Sequence, residues 1–198
     1  MTPEQAAAFF VFSVVAAGTP GPSNALLTTT GAHVGILRGL PCLLGVALGM
    51  GVMMFLVAFG LGSVILDHPV VLATVKWLGA AFLVWLAWKI ASAPVGNSGP
   101  AGRPVGFAGA AAFQWVNPKS WLVCAGATAT FLDRGAGGAL GQSVAFALVF
   151  VAAALPSCLP WLAAGAALKT FLRAPRAARV FNVTMGVLLA ASVVLFIW

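Results

Sequence analysis

The chain has 198 residues, 62% of them hydrophobic and 7% charged, with a formal net charge of +7. A soluble domain carries roughly 25% charged residues, so water is not the main solvent here. A bilayer core about 30 Å thick takes roughly 20 apolar residues per helix, which fills this length with five or six spans and leaves no room for a catalytic globular domain.

In chain order the apolar segments run from Gln5 to Leu27, Gly39 to Leu66, Val70 to Ile90, Val105 to Leu132, Gly138 to Leu168 and Arg179 to Trp198. In lipid each has to be a helix, because a backbone with open edges finds no partners there. The expected fold is therefore an all-α integral membrane protein of about six transmembrane helices, forming one domain over residues 1–198. The stretch from Met1 to Phe12 holds Glu4 and no Lys or Arg, so it lacks the cationic region of a secretory signal and is expected to stay as a helix. The only linker-like segment is Ala93-Pro94-Val95-Gly96-Asn97-Ser98-Gly99-Pro100, which divides the chain into halves at approximately 1–95 and 101–198.

Orientation follows from the basic residues, since short cytoplasmic loops are enriched in Lys and Arg. Odd loops hold Arg38, Lys89, Arg103, Lys169, Arg173, Arg176 and Arg179, whereas even loops offer Lys76 and Arg134. Odd loops are thus expected in the cytoplasm and both termini outside. A three-helix half followed by a second one inserted upside down makes an inverted repeat, a common plan of secondary transporters. Scattered over loops, these cations suit anionic lipid and not nucleic acid.

Both halves interrupt their first helix. Thr19-Pro20-Gly21-Pro22-Ser23-Asn24 breaks helix one, and Asn117-Pro118-Lys119 breaks helix four. Proline removes a backbone donor and clashes with the preceding turn, so each break frees groups that must face protein or a watery cavity. Paired breaks in corresponding helices point to a binding site near mid-membrane, although kinked structural helices would look the same. Gly21 sits where a turn can require positive φ. Gly35, Gly39, Gly45 and Gly49 have the spacing that lets helix backbones approach, within one chain or across a homodimer. Pro156 and Pro160 are expected to kink helix five.

With Pro20-Gly21-Pro22 in helix one, Gly31, Gly35, Arg38-Gly39, Gly45 and Gly49 leading into helix two, Leu78-Gly79-Ala80-Ala81-Phe82-Leu83 in helix three and Asn117-Pro118-Lys119 in helix four, the chain resembles the LysE/RhtB family of amino-acid exporters. The resemblance covers nearly the whole length and implies efflux of amino acids or related metabolites across the cytoplasmic (inner) membrane. It implies no enzyme and no cofactor, and it suggests proton antiport. Ala129-Thr130-Phe131 departs from the Pro-Gln-Phe of many members, and Trp85-Leu86-Ala87-Trp88-Lys89 lacks their Tyr and Gly.

A zwitterion needs partners for a carboxylate and an ammonium, and a broken helix offers a partly positive and a partly negative end. The expected substrate-binding residues are Pro20, Gly21, Pro22, Ser23, Asn24, Gln114, Asn117, Pro118 and Lys119, with Lys119 either holding the substrate carboxylate, snorkelling to the interface or bonding carbonyls of its own helix. Trp115 and Trp121 flank the second break and are candidates for the pore wall. The other tryptophans read mostly as an interfacial belt. Glu4, Asp67 and Asp133 fall at ends or loops, which leaves no intramembrane acid, and His33 reads as a loop histidine. Cys42, Cys124 and Cys158 lie in apolar segments without metal-ligand spacing and read as small hydrophobes, so no metal site is expected. The competing readings are an intramembrane thiol redox protein and an ion or metal exporter or channel.

Overall fold

A computed structural model describes residues 1–62, 68–93, 105–132, 138–168 and 174–197, and their regular structure is helical throughout. Asp67, Arg103, Asp133, Arg134, Lys169, Arg173, Trp198 and the linker from Pro94 to Pro100 lie outside the described residues. In order come α1 (Pro3–Gly18), α2 (Pro22–Val34), α3 (Ile36–Leu56, running on into a π-helical turn at Val57–Leu61), α4 (Pro69–Ala91), α5 (Phe107–Val116), α6 (Pro118–Phe131), α7 (Ala139–Leu168) and α8 (Pro175–Ile197). Ile36–Leu61 and Ala139–Leu168 are each long and apolar enough to cross a bilayer, and α1 with α2, bent by 57°, makes a third span if the pair is one.

Local chemistry accounts for the boundaries. Thr2 caps α1 in a reciprocal box with Gln5: the Gln5 N–H donates to Thr2 Oγ1 at 3.2 Å and the Thr2 N–H to Gln5 Oε1 at 2.9 Å. Proline stands at the start of α1, α2, α4 and α6, where its missing N–H would have had no intrahelical partner. The sequence reading closed the first segment at Leu27, where three threonines lower the hydropathy, but α2 continues to Val34. Thr28 and Thr29 donate back to Asn24 O at 2.9 Å and Ala25 O at 2.8 Å, hiding their polarity inside the helix. His33 consequently sits in the last turn of α2 and not in a loop, with Nδ1 2.7 Å from Thr29 O. Gly35 then turns the chain directly into α3 at φ 81°, a backbone that favours glycine.

The glycine spacing marks close packing within the chain. A Cβ on Gly45 would strike Phe107 O of α5, and one on Gly49 would lie 2.7 Å from Ala111 Cα. Gly31 of α2 and Gly165 of α7 face each other's helix in the same way, meeting Leu162 O and Thr28 O. α7 lies against α1, α2 and α3, α3 against α5, and α4 against α8. Gly186 of α8 comes within 2.7 Å of Ala87 O of α4 by the same measure. α7 continues as a helix through Pro156 and Pro160, and α3 through Pro41.

Two apolar clusters result. Leu27, Leu43, Val46, Leu83, Phe113, Cys158 and Leu162 belong to one; Phe9, Met50, Met53, Trp121, Phe146 and Phe150 belong to the other. Phe9 anchors the second, with ring centroids 4.6 Å from Phe146 and 5.4 Å from Phe131. Large apolar side chains such as Leu37, Val70, Trp77, Trp88 and Val180 cover the outside, as a lipid-facing surface requires. Where the two clusters meet, the helix breaks open a polar cleft.

Candidate functional site

The first break leaves the carbonyls of Ala17 to Gly21 in a run, and the fold satisfies each. Ala17 O accepts from Asn24 Nδ2 at 2.9 Å, and Gly18 O from the indole of Trp161 at 3.1 Å. Thr19 O accepts from Asn24 Nδ2 at 2.8 Å and from Lys119 Nζ at 2.6 Å, while Pro20 O lies 3.4 Å from Lys119 Nζ. Gly21 O accepts the Ala25 N–H at 2.9 Å. At the second break Trp115 O accepts from the indole of Trp121 at 2.9 Å, and Asn117 caps α6 by accepting the Lys119 N–H on Oδ1 at 3.1 Å. An unsatisfied carbonyl in a low-dielectric interior costs several kcal/mol, so these partners hold the breaks open as stable structure.

Side chains then tie one break to the other. Ser23 Oγ and Ser120 Oγ both donate to Gln114 Oε1, at 3.0 and 2.9 Å, and Asn117 Nδ2 donates to Ser23 Oγ at 3.0 Å. Gln114 Nε2 donates to Ala110 O at 3.0 Å. Gln114 and Asn117 are 0% and 2% exposed, so this network is sealed and fixes how α2 meets α5 and α6. Lys119 adds a longer bridge: rising from α6, it bonds the freed carbonyls of the opposite break, not those of its own helix as one reading of the sequence had it.

Gly21, Ser23, Asn24, Gln114, Asn117, Lys119 and Ser120 form the polar end of a narrow cleft with a cavity volume of about 40 Å³. Ala16, Ala17, Val46, Met50, Val123, Phe150, Ala154 and Cys158 line its apolar end. Of the residues expected from sequence, Pro20, Pro22 and Pro118 are outside this lining; Pro22 and Pro118 are buried at the starts of their helices. Gly21 is extended at φ 176°, so its role is not a positive φ. It makes room for Lys119: a Cβ there would lie 2.9 Å from Lys119 Cδ and 3.1 Å from Nζ.

Trp115 and Trp121 do not line the cleft; their rings meet edge to face at 6.0 Å, and Trp121 is buried. Ser120 and the apolar wall from α3 and α7 went unnoticed in the sequence. Ser120 lies one residue after Lys119 and could have been found as a second hydroxyl on the polar break; Met50 and Phe150 carry no signal that separates them from ordinary core. Cys42, Cys124 and Cys158 are buried free thiols, and among the described residues no three His, Cys, Asp or Glu side chains gather as metal ligands.

Helices broken at a shared polar cleft inside an apolar shell are the parts a membrane translocator needs. The chain matches the LysE type translocator family over residues 14–197 and belongs to that family. It is thus a translocator and not an enzyme. It is similar to the cysteine/O-acetylserine efflux protein of Salmonella choleraesuis, 34% identical over 152 residues that cover 75% of this chain and 78% of that protein. It is also similar to the protein of the same description in Escherichia coli, 36% identical over 132 residues, covering 67% and 68%. No solved structure matches the chain.

Proposed function

We propose that the cleft between the two breaks is the substrate site of an exporter of small neutral amino acids, of the cysteine and O-acetylserine kind for which its relatives are named. One observation carries this reading. The polar end is built jointly by both breaks, and among the described residues it contains one cation, Lys119, while no carboxylate lines the cleft. A carboxylate of the substrate finds Lys119 there, together with the start of α2, which has no side-chain cap. A second cationic group, as on lysine, would be pressed against Val46, Met50, Phe150 and Ala154 without a partner, at a cost of several kcal/mol.

The same reading includes six spans in two inverted halves. α1 with α2 and α5 with α6 are the broken first helices, α3 and α7 the second, α4 and α8 the third. Supporting it, α3 against α7 and α4 against α8 pair elements that would be equivalent, and α7 against α1 has a counterpart in α3 against α5; the close packing of α7 on α2 has no equal counterpart between α3 and α6. α4 and α8, at 23 residues each, reach roughly 35 Å, enough for the hydrocarbon core. The reading places the chain in the inner membrane with both termini outside and the cleft near mid-membrane. Homodimerisation, whose glycine faces are occupied within the chain, would need other surfaces; crosslinking in intact membranes decides it.

Expression in cells that overproduce cysteine should raise external cysteine and O-acetylserine and leave external lysine unchanged. Lys119→Met keeps the apolar stem and removes the ammonium, so at equal membrane abundance it should lose this export. Export at the unmodified rate by Lys119→Met, or equal export of lysine, overturns the proposal.

A further inference from the structure

Every polar atom of the network described above is engaged except one. Asn24 is 2% exposed and lines the cleft. Its amide nitrogen donates to Ala17 O and Thr19 O, which fixes the orientation of the amide, since the opposite flip would set its oxygen against two carbonyls. Its oxygen, Oδ1, is buried and receives no hydrogen bond from the protein. An acceptor left bare in a buried site costs about as much as a lost hydrogen bond, and Asn24 has no freedom to turn it toward solvent. Such an atom is left open to a donor from outside the protein.

We infer that Asn24 Oδ1 is the acceptor for the substrate's ammonium, and that the carrier thereby selects solutes with a free protonated amine. This rests on the cleft being the substrate site. Thr19 O is shared by Asn24 Nδ2 at 2.8 Å and Lys119 Nζ at 2.6 Å, so these two nitrogens lie no more than about 5.4 Å apart, and Oδ1, on the same amide carbon as Nδ2, lies within about 8 Å of Nζ. That spacing suits a molecule whose carboxylate and ammonium sit on one carbon, the carboxylate turned to Lys119 and the ammonium to Asn24. Acylating the amine removes the charge and widens the group, so the acylated compound has a neutral N–H to offer and a carbonyl that brings a second acceptor. Replacing the amine by hydroxyl keeps the size and loses the charge. Asn24 supplies an acceptor without bringing a fixed negative charge into the membrane, which a carboxylate would.

Two matched probe pairs isolate the amine. O-acetylserine and N-acetylserine have the same atoms and differ in which heteroatom carries the acetyl group; serine and glycerate differ only in amine against hydroxyl. Ala16 lines the cleft and is half-buried, so a single cysteine placed there by Ala16→Cys, in a chain with Cys42, Cys124 and Cys158 changed to Ala, reports occupancy through protection from a maleimide. At pH 6, where the acetyl stays on oxygen, O-acetylserine should protect at about ten- to hundredfold lower concentration than N-acetylserine, the factor of one hydrogen bond to a charged group. Serine should exceed glycerate by a similar factor. Asn24→Leu should compress both ratios toward one. Where Asn24→Leu fails to reach the membrane, the probe pairs on the parent chain decide. Equal protection within each pair overturns the assignment to Asn24 and leaves the site standing; no protection by O-acetylserine overturns the site and the assignment together.

Discussion

Gly21→Ala is the sharpest probe of how the two breaks are held. At φ 176° the position accepts any residue, so the substitution adds no backbone strain. Its Cβ would instead lie 2.9 Å from Lys119 Cδ and 3.1 Å from Nζ, and the flexible lysine has to swing away. Doing so gives up the bonds to Thr19 O at 2.6 Å and Pro20 O at 3.4 Å. A hydrogen bond to a charged group contributes about 1.5–3 kcal/mol, and the partial exposure of Lys119 together with the second donor that Thr19 O keeps puts the loss near the lower end. Alanine is also a poorer N-cap than glycine by roughly 0.5–1 kcal/mol, a cost independent of Lys119. Gly21→Ala should therefore cost about 2–3 kcal/mol in the parent chain and about 0.5–1 kcal/mol in Lys119→Ala, a coupling of about 1–2 kcal/mol. Reversible unfolding in mixed micelles across the four proteins measures it. An equal cost of Gly21→Ala with and without Lys119 would refute the bridge.

Gly31→Val should be far more damaging, because its side chain meets backbone of α7 at Leu162 and Ala166 that cannot retreat; loss of most folded protein in detergent is expected, and wild-type yield would contradict the packing. Changing Cys42 and Cys124, which lie outside the cleft and leave no thiol pair once gone, to Ala should lower stability by a few kcal/mol through lost core volume while transport continues; transport abolished in a well-folded double variant would reinstate the thiol redox reading. For topology, single cysteines at Arg38 and Arg176 should label from the cytoplasm and those at Thr2 and His68 from outside, and the reverse pattern would invert the assignment.

The helices were legible because lipid leaves the backbone no alternative, and long apolar runs announce themselves. Their ends were less so where polar side chains bond inward. Hydropathy counts Thr28, Thr29 and Thr30 as polar, yet Thr28 and Thr29 spend their hydroxyls on carbonyls four residues back, and the helix runs on to Gly35. The tryptophans misled for a related reason. An indole near a helix end, such as Trp161, reads as an interfacial anchor and one beside a break, such as Trp121, as pore wall, but each uses Nε1 on a carbonyl that a break has freed. Composition identifies the donor; only the fold names the acceptor.

At the cleft, sequence located the breaks and their polar residues, because Pro-Gly-Pro and Asn-Pro interruptions are rare inside apolar runs. What it could not divide was the labour among those residues. Ser23, Gln114 and Asn117 look like ligand groups on a helix wheel, yet each spends its hydrogen-bonding capacity on the others, so replacing Asn117 by Leu strips the cap of α6 and a donor to Ser23 at once and cannot spare the fold. Asn24 looks no different in sequence, yet it alone ends with a buried oxygen to offer. The distinction arises because Asn24 lies seven and five residues beyond the carbonyls it grips, across a turn that only Pro20, Gly21 and Pro22 allow. A ligand-binding role thus follows from what the local turn consumes and what it leaves over, and Lys119, reaching from a hundred residues away to the same Thr19 carbonyl, places the charged half of the site beside the neutral one.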